Sequence, residues 1–427
     1  MTSSLSGKKL LVLGGAYQHR KILRAAKRLG VETFVADYLP IDLAPAKKMA
    51  DHALQIDIFD HAKLVDLCRK EKIDAISAPY LDVTQWPVYY LCEELGYPCF
   101  GTRLQHQILT DKRTFKNFCN QSGADTIPSY SLDQLEAGEV TFPILIKPTD
   151  SRGSRGQTVC YRQEEVAAAV QFAREESRDG DILIERYMGK QNDVQLVYLV
   201  IDGEPYLYKV QDRYLGSVEN GFDKLCIAEI APSFREEAFR RNADQTVKNM
   251  IRQMGLRNAP VFIQAFFDGE KAWLYDPGLR MPGDDFDDAY SAITGIDISE
   301  ALVRFAFTGQ MPKELGESIE NIRLSQYAAM VYPCLYPGKI AAIEGLEALA
   351  SYPPLIAFST AYHAGDEVLP HHNVKQRFGE FVIKARDKSE LNEIITHIFN
   401  TLHVYNAEGE DMLIEKFDRK ELARYAW

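Results

Sequence analysis

At 427 residues the chain is too long for one ordinary core and reads as two to four domains. Its net charge of -12 repels nucleic-acid phosphates on average, which excludes non-specific binding to DNA or RNA and leaves only a local basic pocket for a nucleotide. No run approaches the roughly 20 apolar residues of a bilayer span. Residues MTSSLSGKKLLVLGG lead directly into a strand–turn pattern rather than a signal segment, so the cytoplasm is the default location. The seven cysteines are scattered without a CxxC pair, which fits reduced, buried thiols better than disulfides or structural zinc.

From the N-terminus, Lys8 to Ala16 reads as a buried strand ending in a glycine turn. A helix over 18–29 follows, with Ile22, Leu23, Ala26 and Leu29 at helical spacing. Strands at 31–36 and 75–78 alternate with helices at 62–71 and 88–95, and a short strand is expected at Pro98–Gly101. Such alternation predicts a parallel sheet covered by helices, a Rossmann-like α/β domain over residues 1–104. Gly14-Gly15 and Asp37 stand where a dinucleotide site would place them, yet the G-x-G-x-x-G fingerprint is absent from GGAYQHRK.

A helix is predicted over 105–123. The stretch FPILIKPTDSRGSRG then gives an apolar strand (Ile144 to Ile146), Lys147-Pro148, and a loop of Ser151, Arg152, Gly153, Ser154, Arg155 and Gly156. A second strand follows at Thr158–Tyr161. Glycines admit close backbone approach, and serine and arginine supply donors for phosphate oxygens. Read alone, this hairpin is equally a solvated turn or an anion-binding loop. A helix at 164–175, a strand at 181–187, paired strands about Asp202-Gly203, a long helix over 236–254 and strands about Asp268-Gly269 come next. After Asn321, short strands at 327–334, 339–343, 355–359 and 380–385 and a helix at 389–402 read as a small α+β module. The adjacent His371 and His372 point to different sides of an extended chain, which argues against a shared metal.

Lys112 in TDK, Lys147 in IKP, the SRGSRG loop, Glu185-Arg186-Tyr187-Met188 after the next strand, and Asp276 and Arg280 in DPGLR occur in a telling order. This set resembles the ATP-grasp superfamily of carboxylate–amine ligases, similar to biotin carboxylase and the carbamoyl-phosphate synthase large subunit. The part from Asn321 onward looks like the C-terminal domain of L-amino-acid ligases. The resemblance implies a Rossmann-like pre-ATP-grasp domain (1–104), an ATP-grasp domain (105–320) with a mobile lid subdomain (about 129–211), and a C-terminal α+β domain (321–427). It implies ATP with Mg2+ or Mn2+, small-molecule carboxylate and amine substrates, no nucleic-acid or membrane partner, and a homodimer as the common assembly.

By the same resemblance, Lys112, Lys147 and the SRGSRG loop contact the triphosphate, Glu185 to Met188 line the adenine, and Asp193 meets the ribose. Arg280 stabilises the transferred phosphoryl group, and Asp276 with Gln264 holds the metal. This chain departs from the pattern E-x-N-P-R: Gly278 replaces the asparagine, and Gln264, twelve residues before Asp276, replaces an acid. Asp284, Asp285, Asp287 and Asp288 crowd the next loop as candidate ligands, an amine site, or a solvated acidic turn. The leading expectation is an ATP-dependent ligase proceeding through an acyl phosphate. Its rivals are a nucleotide-binding protein without ligase turnover, suggested by Gln264 and Gly278, and an NAD-type oxidoreductase on the N-terminal sheet.

Overall fold

The structure, a computed structural model, describes residues 4–150, 156–189, 192–216, 225–284, 286–370, 374–415 and 417. The N-terminal strands β1 (Lys9–Leu13), β2 (Glu32–Asp37), β3 (His52–Gln55) and β4 (Ala75–Ser77) form a parallel sheet of order β3-β2-β1-β4. The two central strands are nearly continuous apolar runs because helices cover both faces. Asp37 does not await a ribose: its carboxylate accepts from Gly15 N at 2.6 Å and Leu39 N at 2.8 Å. A Cβ on Gly15 would lie 2.6 Å from that of Ala44, so this glycine serves close packing.

The expected strand at Pro98–Gly101 is irregular instead. Phe100 stacks on Phe305 at 4.7 Å, so the half-buried apolar run packs against helix Ile298–Thr308 rather than in a sheet. The expected helix over 105–123 is two, Arg103–Thr110 and Lys112–Gln121. Asp111 caps the second by accepting from Thr114 N at 2.7 Å. Similarly, 236–254 divides into Glu236–Asn242 and Asp244–Met254.

A four-stranded antiparallel sheet of order β5-β8-β6-β7 follows: β5 (Ser129–Tyr130), β6 (Ile144–Pro148), β7 (Thr158–Cys160) and β8 (Ile182–Arg186). It has its own small core, in which Ile144, Ile146 and Ile184 pack on Ala169 and Ala173 of helix Val166–Glu175. The expected hairpin is β6–β7. Its tip, Ser151 to Arg155, lies outside the described residues, as do Asp285 and His371-His372.

The largest sheet is β13-β12-β9-β10-β11-β14, extended by strands Gly379–Ala385 and Leu355–Thr360. Its labelled members are β9 (Asp193–Ile201), β10 (Glu204–Leu215), β11 (Cys226–Ala231), β12 (Ala259–Phe267), β13 (Ala272–Gly278) and β14 (Tyr327–Val331). β11, not expected from the sequence, is the link through β14 to the C-terminal strands. One apolar cluster joins Leu10 and Val12 of β1 and Ile22 and Leu23 of helix Arg20–Arg28 to Leu302 and Phe305. It continues to Val197 of β9 and Met330 of β14. The N-terminal sheet is thereby packed onto the large sheet, while the β5–β8 sheet has a separate core. Among the described residues no helix is long and apolar enough to cross a membrane.

Candidate active site

Between the β5–β8 sheet and the large sheet, beside the start of helix Asp82–Leu95, lies a cavity of about 350 Å³, lined by Lys112, Lys147, Gln264, Asp276 and Arg280 among others. Lys147 and Glu185 are diagonal neighbours on one face of the β6–β8 pair, since Leu145 is directly opposite Glu185. Lys147 Nζ lies 2.6 Å from Glu185 Oε2. Lys116, one helical turn after Lys112, reaches the other oxygen at 2.5 Å. Burial opposes the charged form of Glu185, but Lys147 and Lys116 outweigh it and hold the carboxyl below its usual range. Lys112 Nζ pairs with Asp276 Oδ1 at 3.1 Å. This wall therefore sets three lysines against two carboxylates, a surplus of positive charge suited to phosphate.

The side chain of Glu185, expected against adenine, points into this ion triad, and its backbone is spent pairing with β5 and β6. Arg186, Tyr187 and Met188 do line the cavity, as does Gly189. Asp193 also lines it, but its carboxylate is engaged. Tyr275 Oη donates to Oδ1 at 2.9 Å, and Arg213 Nη1 donates to Oδ2 at 2.5 Å. Burial raises its pKa to about 6 against the pull of Arg213 and Tyr275. Gly156 is the one member of the SRGSRG loop among the described residues. Its φ of +67° and the 2.7 Å between its Cβ position and Pro148 Cγ leave no room for a side chain at the loop's return.

Arg280 forms a bidentate pair with Asp82, at the start of helix Asp82–Leu95, with distances of 2.6 and 2.7 Å. Its guanidinium also lies 4.4 Å from the centre of the Phe262 ring. That ring explains Gly278: a Cβ there would come within 2.4 Å of Phe262 Cδ1. Glycine in place of asparagine is thus what the support beneath Arg280 requires.

Gln195, Gln264 and Asp276 form a row in register across β9, β12 and β13. Gln264 Nε2 donates to Gln195 Oε1 at 3.4 Å, and Gln195 Nε2 donates to Asp284 Oδ2 at 3.3 Å. An amide whose NH2 faces Gln195 turns its carbonyl oxygen the other way, the orientation a cation ligand needs. Among the described residues no three or more His, Cys, Asp or Glu side chains are grouped to hold an ion alone. One carboxylate and one amide oxygen fit a Mg2+ or Mn2+ ion completed by phosphate oxygens and water.

Asp287 and Asp288 fall in the first turn of helix Phe286–Thr294, and both are ion-paired. Asp287 is paired with Lys209 at 3.1 Å and Lys21 at 3.6 Å, and Asp288 with Arg24 at 2.8 Å. These acids fasten helix Arg20–Arg28 of the N-terminal part to β10. Asp284 alone of the three described aspartates lines the cavity.

The far wall was not anticipated. Glu229 of β11 accepts from Gln211 at 2.7 Å and Arg213 at 3.3 Å, and Arg377 and Glu380 approach from the C-terminal portion. The readable signal was polar residues at alternate positions of otherwise apolar strands: Asp193 and Gln195, then Gln211 and Arg213.

The fold and this site define an ATP-grasp protein. The family description "carbamoyl-phosphate synthase L chain, ATP binding domain" matches residues 111–267, and "L-amino acid ligase C-terminal domain 2" matches residues 333–407. The chain belongs to the ATP-grasp superfamily. It is 27% identical over 346 residues to the 2-oxoglutarate carboxylase small subunit of Hydrogenobacter thermophilus, covering 75% of this chain and 70% of that protein. Formate-dependent phosphoribosylglycinamide formyltransferase of Wolinella succinogenes is 25% identical over 58% of this chain, which spans 64% of that relative's length. Among solved structures, the L-amino acid ligase from Bacillus licheniformis superposes with a TM-score of 0.77 at 17% identity, covering 94% of this chain and 99% of that one. The biotin carboxylase domain dimer of the H. thermophilus 2-oxoglutarate carboxylase, complexed with MgADP, ADP and bicarbonate, gives 0.71 at 20% identity. That match covers 93% of this chain and 90% of the other.

Proposed function

We propose that this protein is an ATP-dependent ligase that activates a carboxylate as an acyl phosphate and couples it to an amine, releasing ADP and phosphate. The observation that carries this reading is the convergence of Lys112, Lys147 and Arg280 on one cavity beside Asp276. Lys112 and Lys147 receive the phosphates, and Lys116 holds Glu185 so that Lys147 keeps its place. Arg186 to Met188 wall the base, and Asp193, fixed by Arg213 and Tyr275, presents its edge to the ribose. The β5–β8 sheet, with its own core, closes over the nucleotide and keeps water from the acyl phosphate.

Arg280 exchanges Asp82 for the charge developing on the transferred phosphoryl group. A magnesium or manganese ion on Asp276 and Gln264 neutralises phosphate charge when bound. The enzyme's contribution is positioning and charge neutralisation. ADP release measured over panels of carboxylates and amines tests the reading. Lys147→Ala, verified as folded by circular dichroism, should abolish release, and unchanged turnover would sink the assignment.

Gln264 in place of an acid favours a second reading, a protein that binds nucleotide without turnover. Calorimetric binding of MgATP with no ADP release on any substrate pair would select it.

A further inference from the structure

The ligase reading leaves one wall of the cavity unused, the side formed by strand Gly379–Ala385 and the segment before it. Arg377 and Glu380 both line the cavity there. Arg377 lies flat on Tyr332, 3.8 Å from the ring centre, and one terminal nitrogen donates to Cys226 O at 2.7 Å. Its Nε is shielded from solvent and has no hydrogen-bond partner among the described residues. Gly379 brings the strand against its neighbour: a Cβ would sit 2.1 Å from Ser359 O, so the backbone that carries Glu380 is closely held. Glu380 Oε2 is likewise shielded and unpartnered.

A buried carboxylate oxygen without a donor is costly unless something arrives to bind it. Glu229 shows the contrast, since Gln211 and Arg213 both donate to it. The charged groups facing Glu380 are Arg377, Asp284 from the loop after β13, Lys21 from helix Arg20–Arg28, and Glu229 from β11. The neutral Tyr332 lies nearby. Burial, reinforced by Asp284 and Glu229 and opposed by Arg377 and Lys21, raises Glu380 to about 7. A carboxyl so poised can accept a proton near neutrality and release it again.

Resting on the ligase reading, we propose that Arg377 and Glu380 form the acceptor subsite for an amino acid bound as its zwitterion, with Glu380 removing the proton that makes its amine a nucleophile. Arg377 takes the acceptor's carboxylate, and Glu380 Oε2 takes its ammonium group. One ammonium proton passes to Glu380. The freed nitrogen lone pair forms the bond to the acyl carbon, and the C–O bond to phosphate breaks with its electron pair leaving on phosphate. The second nitrogen proton leaves with inorganic phosphate, giving a neutral amide and, after Glu380 returns its proton to solvent, the starting enzyme. Asp284 and Glu229 add negative potential that favours the cationic end.

The test separates this step from acyl-phosphate formation by using hydroxylamine, a neutral nucleophile at pH 7 that needs no base. Wild type, Glu380→Gln and Arg377→Gln are compared with MgATP over proteinogenic amino acids, bicarbonate, formate and 2-oxo acids as carboxylate donors. Hydroxamate is read with hydroxylamine, and amide product with amino-acid acceptors. Glu380→Gln should lose about 100-fold or more in amide formation while hydroxamate formation stays within about threefold. Arg377→Gln should raise KM for the amino acid without changing hydroxamate yield. Wild-type amide rates in Glu380→Gln, or equal loss of amide and hydroxamate, would overturn the proposal while leaving the ligase reading intact. No hydroxamate from the wild type with any donor would remove both.

Discussion

On the lid side of the cavity, Glu185 is held between Lys147 and Lys116, and every charged atom of the triad has an opposite charge within 2.6 Å. On the far side, Glu380 is half-buried, and its shielded Oε2 has neither a hydrogen bond nor an ion pair among the described residues. Both are glutamates on strands, Glu185 fully buried and Glu380 half-buried, yet their carboxyls move in opposite directions: Glu185 below its usual range, Glu380 up to about 7. The difference teaches that burial alone does not set ionisation; partners within hydrogen-bond reach do. One wall is complete before any ligand arrives, and the other is complete only with a cation in it.

Lys147→Ala breaks the completed wall. Removing one partner leaves Glu185 buried with half of its compensation, a loss on the order of 3–5 kcal/mol. Because the folded pKa of Glu185 lies below 4.5, its contribution is present above that pH and lost as pH falls through the folded value. The gap between wild type and Lys147→Ala in denaturant midpoint should therefore be full at pH 7 and shrink in acid. A gap independent of pH would mean that the triad contributes no charge-dependent stability.

Glu380→Gln acts in the opposite direction. With a folded pKa of about 7 against 4.5, folding takes up a proton between those values, so stability falls as pH rises through that window. Above pH 7 the charged, unpartnered carboxylate costs up to about 3 kcal/mol. The amide carries no such charge, so the variant should be more stable than wild type at pH 8. The two should converge below about pH 5. Thermal denaturation at the two pH values checks this, and a destabilised variant at pH 8 would show that Glu380 has a partner after all.

This contrast also marks what could be read from the chain alone. Lys112, Lys147, Asp276 and Arg280 were legible because each sits in a short local pattern at a strand or helix end. Lys116 and Glu185 as a pair were not, since their meeting depends on the packing of helix Lys112–Gln121 against β8. Arg377 and Glu380 were invisible for a stronger reason. Their approach to the cavity requires β11, which was missed, to join β10 to β14 and carry the sheet across to strand Gly379–Ala385. The αβ alternation of the N-terminal sheet was legible because its period is local, whereas Pro98–Gly101 failed because an apolar run cannot reveal whether it faces a strand or a helix.

Gly278→Ala probes the junction between the two walls. The new methyl would meet the Phe262 ring, which also supports Arg280, so overpacking of about 1–3 kcal/mol is expected together with a displaced guanidinium. The double variant with Phe262→Leu should recover most of the thermal stability. If Gly278→Ala is neutral by itself, the glycine is not there for the ring.

The smallest change falls on the row of oxygens between the walls. Gln264→Glu restores a carboxylate beside Asp276, and one added charge about 4 Å from a divalent ion contributes about 2 kcal/mol even at the dielectric of water, about thirtyfold in affinity before its neighbours are counted. The gain is limited by two neighbours. Lys112, 3.1 Å from Asp276, already neutralises part of that corner. Gln195 now accepts from Gln264, so facing a carboxylate it must turn its NH2 inward and give up its bond to Asp284. Calorimetry of ATP binding with and without Mn2+ isolates the metal's share: Gln264→Glu should strengthen binding only when the metal is present. Equal strengthening without metal would show that the gain does not come through an ion, and weaker binding in both would show that the new charge opposes the phosphates or breaks the amide row through Gln195.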